Sequence, residues 1–135
     1  GAGNLSAFLS IPGLRFVTLQ YDEDEAELQA IERENGIEII RPAGLDLTND
    51  LDGVAALIAA LDAVVAPQNL ILSLTGALGA PGYTMPHTVN WVSLGTEGMP
   101  FYPSIRLDRR HGEEGADWGP VMTRLAGRLK QGLKL

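Results

Sequence analysis

The chain has 135 residues, 45% of them hydrophobic and 20% charged, with a net charge of −7. That is one ordinary domain with enough apolar material for a core, which excludes general disorder. Without cysteine and with two histidines, it excludes a disulfide scaffold, a thiolate zinc site and a cysteine nucleophile. The acidic balance also argues against nucleic acid as a partner. Apolar runs break at Asp62 and Pro67, short of the ~20 residues of a membrane span, so none is expected. No basic-then-apolar segment opens the chain, and with the lack of cysteine this points to a cytoplasmic protein. Charge is divided along the sequence: residues 1–65 carry three basic and twelve acidic side chains, residues 66–135 seven and five.

Residues 5–11 (LSAFLSI) predict a short helix closed by Pro12 and Gly13. Arg15 to Gln20 predicts a strand. Asp22 to Asn35 predicts a helix with Leu28 and Ile31 on one side and Gly36 as its stop. Ile37 to Ile40 predicts a second strand. Asn49 or Asp50 caps a helix to about Ala60, with Leu51, Val54, Leu57, Ile58 and Leu61 on its buried face. Ala63 to Ala66 predicts a short buried strand. Gln68 to Leu78 reads as a helix apolar almost all round, as in a helix covered on most sides. A strand near Tyr83 to Met85, a Gly/Pro-rich loop from Pro86 to Pro103 and a strand at Ser104 to Leu107 follow. Asp117 caps a final helix with Val121, Leu125 and Leu129 at fourfold spacing, its basic residues toward the end suiting the helix dipole.

Strands alternate with helices, and the strands are continuously apolar. That predicts an α/β fold, a three-layer Rossmann-like parallel sheet with helices on both faces, in a single domain over residues 1–135. Ligands in such folds sit beyond the carboxyl ends of the strands. The turn from Ala66 into the Gln68 helix is therefore a candidate phosphate site, since a helix start offers free N–H donors and a favourable dipole. Asn69 either caps that helix or reaches a phosphate oxygen, and Ser73 lies one turn on. The acidic run from Asp22 to Glu27 reads as dipole complementation rather than a metal cluster.

Four stretches carry a family resemblance: LDAVVAPQNLILSLTGALGAP, RFVTLQY, NWVSLGTEGMPFYPSIRLDRR and DWGPVMTRLAGRL. Taken in their order along the chain, they resemble segments of the C-terminal half of bacterial heptosyltransferase-like glycosyltransferases, many of which follow tetratricopeptide repeats. The resemblance implies one half of a GT-B fold, the nucleotide-sugar-binding half of a glycosyltransferase. Pro67, Gln68 and Asn69 would then meet the donor diphosphate, with Ser73 on the helix where the family carries histidine. Gln20 would lie near the donor. An N-terminal acceptor half or a repeat region would be the partner in a longer chain, the acceptor half supplying the catalytic base, so no catalytic residue is expected here. No cofactor is implied beyond the nucleotide-sugar substrate. The family's Asp-Thr pair falls on Gln68-Asn69, which motivates a rival reading as a degenerate glycosyltransferase-like interaction module. A freestanding flavodoxin-like domain is a third reading, without a flavin signature.

In the loops, His87 either contacts a ligand or faces solvent, and Trp91 and Tyr102 either stack on a base or anchor the loop to the core. Arg106, Arg109 and Arg110 read as a surface run pairing with Asp108, Glu113 and Glu114, or alternatively as diphosphate contacts.

Overall fold

The computed structural model describes residues 5–22, 24–86, 91–96, 98–109 and 117–135. In chain order it runs α1 (Ser6–Leu9), β1 (Phe16–Val17), α2 (Glu25–Asn35), β2 (Ile39–Ile40), α3 (Leu51–Ala60), β3 (Val64–Val65), α4 (Leu70–Ala77), β4 (Gly82–Thr84), a 3-10 turn (Trp91–Ser93), β5 (Ile105–Leu107) and α5 (Gly119–Leu133). The described residues form a small α/β unit of short parallel strands and five helices. The strands form two sheets: β1 pairs with β2, and β3-β4-β5 make a second ladder, all parallel. Expectation and structure differ here, because the strand ladders are shorter than the apolar runs. Phe16 faces Ile39 and Val17 faces Ile40, and Thr18 N extends the pairing by one bond to Ile40 O at 3.0 Å. Ile37 is diverted from β2 because its N–H donates to Glu32 O, closing the end of α2 beyond Gly36 at φ +64°.

Three apolar clusters organise the core. The first joins Val54 and Ile58 of α3, Leu72 of α4, Val64, Ala66, Ile105, Leu107 and Met99. Leu19 after β1 and Leu45 and Leu47 after β2 pack on it, so the segments leaving β1, β2 and β3 converge there. The second cluster joins Phe8 and Ile11 to Tyr83 and to Met122, Leu125, Ala126 and Leu129 of α5. The third joins Leu9 to Leu28, Ile31 and Ile39. Helix α1 thus reaches both sheets through adjacent residues, Phe8 and Leu9.

Strand β4 works because its two faces meet different helices. A side chain at Gly82 would collide with Ile105 and approach Thr75 Cγ2 of α4 to 3.2 Å, whereas the Tyr83 hydroxyl lies against Gly132 of α5. Gly76 lets the Tyr102 ring lie directly on α4. Helix α4 departs from expectation at its ends: Leu72, Thr75 and Gly76 are buried, but Leu70 is 59% and Leu78 44% exposed.

Strand β5 ends its sheet. Ile105 N donates to Tyr102 O at 2.9 Å, and Leu107 O accepts from Arg128 Nη1 at 3.1 Å. Among the described residues no helix is long and apolar enough to cross a membrane.

Candidate functional site

A helix that follows a parallel strand starts at the strand's carboxyl end. Helices α2, α3 and α4 do so after β1, β2 and β3, and each start is capped by its own side chain. Asp24 Oδ1 accepts from Ala26 N at 2.9 Å, Asp50 Oδ1 from Gly53 N at 2.8 Å, and Asn69 Oδ1 from Leu72 N at 3.2 Å. Two of the three caps are carboxylates, which satisfy orphan N–H donors and place negative charge at the positive end of each dipole.

The loops between them add acid. Asp46 accepts from Thr48 N at 2.9 Å, Asn49 N at 3.0 Å and Asn49 Nδ2 at 2.9 Å. These bonds, the Asn49 side chain's foremost, hold its carboxyl below the ordinary range. Arg41, after β2, is committed to α2: it meets Glu32 Oε1 at 2.5 Å and Glu25 Oε1 at 3.0 Å, and also bonds Ile39 O. Those bonds keep its guanidinium charged. Glu32 is held below its usual value of 4.5, first by Arg41 and then by the Ile39 N–H at 2.7 Å. The sequence reading missed this triad, although Glu25 and Glu32 stand seven residues apart, about two helical turns on one face.

Three large apolar side chains stand among these groups. Tyr21 is 73%, Leu51 47% and Leu70 59% exposed. Each sits where a strand has just ended or a helix begins.

The expected site residues lie after β1, after β3 and on α4. Gln20 is exposed, its N–H directed to Thr18 Oγ1 at 3.3 Å. Pro67, Gln68, Asn69 and Ser73 are exposed around the start of α4. The Asn69 side chain is turned onto its own helix as a cap, and its carbonyl accepts from Ser73 N at 3.1 Å. His87, His111, Arg110, Glu113 and Glu114 lie outside the described residues, as does the Trp91 side chain. Tyr102 anchors to the core rather than standing free. Part of the expected ion-pair run thus lies outside the described residues. Asp108 is buried and pairs with Arg124 at 3.2 Å and Arg128 at 3.5 Å. Two arginines four apart on α5 reach one carboxylate, while Arg106 bonds Pro103 O and Arg109 bonds Thr96 O.

Comparison with known proteins gives one relative. Over 122 residues the chain is 43% identical to protein FlbA of Caulobacter vibrioides, a match covering 90% of this chain and 20% of that protein. The chain therefore spans about a fifth of the curated relative it matches. No family model matches, and no solved structure matches.

This overturns the heptosyltransferase-like resemblance. The relative is not a named glycosyltransferase, and no model of such a family finds the chain. The assignment as the donor-binding half of a GT-B glycosyltransferase, or as a degenerate form of one, falls with it, as does the association with tetratricopeptide repeats. The stretches behind the resemblance have local explanations. GALG is the end of α4, with Gly79 at φ +68°, and FYPSIRL is a turn feeding β5. Such punctuation recurs wherever a helix or turn leads into a strand.

Proposed function

We propose that this chain is a docking unit that takes a basic, amphipathic segment of a partner protein on the rim formed by the starts of α2, α3 and α4. The two short sheets are read as sections of one Rossmann-like layered sheet, which brings the exits of β1, β2 and β3 to one side. The observation carrying the proposal is the chemistry of that rim: exposed Tyr21, Leu51 and Leu70 set among exposed Asp22, Asp24, Glu25, Asp46, Asp50 and Asp52. Arg41 offsets only Glu25 among them, its other partner being Glu32. Apolar side chains supply burial, and the surrounding carboxylates select a cationic partner and speed its arrival. Gln20, Gln68 and Asn69 supply neutral polar contacts at the same rim, and Ser73 extends it along α4.

The test uses two short helical peptides, one of lysine and leucine and one with glutamate replacing lysine, titrated by fluorescence anisotropy. The lysine peptide should bind saturably and weaken at about 0.5 M salt. Replacing Tyr21 and Leu70 together by serine should weaken it about tenfold or more. Equal affinity for the two peptides, or none for either, refutes the reading.

A further inference from the structure

We propose that a second site, the groove between the last turns of α5 and the amino ends of β4 and β5, binds a carboxylate carried on an apolar body. The groove is open to solvent and offers about 660 Å³, and Pro81, Tyr83, Ser104, Arg106, Arg128 and Gln131 line it. That volume suits a small molecule or a few residues of peptide. In a chain of net charge −7, the lining holds two guanidiniums and no acid. Arg106 is exposed, with Nη1 on Pro103 O at 2.7 Å. Arg128 is half exposed, with Nη1 on Leu107 O at 3.1 Å and Nη2 3.5 Å from Asp108 Oδ2. A guanidinium has five N–H donors, so these contacts brace each arginine and leave donors for a ligand.

The second observation is the Ser104 hydroxyl. Its Oγ is buried and has no hydrogen-bond partner among the described residues. Buried hydroxyls are nearly always bonded, and rotation of the Ser104 side chain toward the groove it lines would bring this one to an acceptor on a bound ligand. Pro81 and the buried Tyr83 form the apolar wall. The carboxyl end of α5 contributes the negative end of its dipole, so the arginines and not the helix must hold the anion. A guanidinium suits the planar, two-oxygen geometry of a carboxylate, and the lining offers two. The site is independent of the docking rim and its partner.

Three probes test it by amide chemical-shift titration of the whole 135-residue chain: hexanoate, a short peptide ending in leucine with a free carboxylate, and the same peptide amidated. At least one free acid should saturate, with the largest shifts at Ser104, Arg106, Gln131 and Gly132. The amide should bind at least about tenfold more weakly, and Arg106→Gln should weaken the free acid about tenfold while leaving thermal unfolding unchanged. Tighter binding of the peptide assigns the site to a chain terminus, and tighter binding of hexanoate to a small acid. Absence of saturable shifts with either acid, equal affinity for the amide, or undiminished affinity in Arg106→Gln overturns the proposal.

Discussion

Two arginine–carboxylate assemblies do different work. Asp108 is buried with side-chain exposure of 2%, and Arg124 and Arg128 fasten it from α5. Its role is to fix the helix against the end of β5, since a carboxylate out of water must be paired. The Arg41 assembly lies nearer the surface and carries a pH dependence. Glu32 is held below its ordinary value of 4.5 by Arg41 and the Ile39 N–H. A depressed carboxyl stabilises the fold above its unfolded value and loses that contribution as pH falls through its folded value. Glu32→Gln should therefore be less stable than the parent at neutral pH, with the gap closing as acid is added below about 4.5. Urea unfolding across pH checks this, and a gap independent of pH would refute it.

Among elements, helices were more legible than strands. The stop at Gly36 and the caps at Asp50 and Asn69 announce themselves locally, because capping depends on residues within one turn. Strand length is not local. The apolar run from Arg15 to Gln20 supplies a two-residue strand because its partner, Ile39–Ile40, is itself shortened by the closure of α2. The last helix begins at Gly119, with Asp117 Oδ1 accepting its N–H at 2.8 Å, one residue later than a cap at Asp117 suggests. Asn69 shows how a residue's place in an element can be legible while its bonding is left open. Sequence puts it at the start of α4, and the structure spends its side chain on Leu72 N. Asn69→Ala should cost about 1 kcal/mol of stability by urea denaturation, the usual worth of such a cap. No measurable loss would show that the cap contributes little.

At the scale of the whole molecule, α1 is the tie between the two sheets. Phe8, 4% exposed, packs with Tyr83 and α5, and neighbouring Leu9 packs with α2 and β2. Adjacent residues of one four-residue helix thus belong to two clusters. Phe8→Ala should lower unfolding free energy by about 3–5 kcal/mol and speed amide exchange in β1 and β2 as well as in β4. Faster exchange confined to β4 and α5 would mean that α1 does not couple them. This tie was not legible, because residues 5–11 announce a helix but not its two neighbours. The strand ends that carry the proposed rim were legible, since the order of strands and helices sets which loop follows each strand. The rim's acidic, apolar character as a surface was not, because exposure of Leu51 and Leu70 depends on how α3 and α4 settle on the core. The Arg106–Arg128 groove was hidden for the same reason: its walls lie more than twenty residues apart in sequence.

The finish of β5 has a further consequence. The last strand of an open ladder normally offers its backbone as a template on which another chain can crystallise, copy after copy. Here the strand is only three residues long, one outward donor is already answered by Tyr102, and one outward acceptor is sealed by Arg128. Growth by strand addition finds few vacant backbone groups at this border. Visitors must be recognised by their side chains and charges, and a change at Arg128 would weaken that seal as well as the groove beside it.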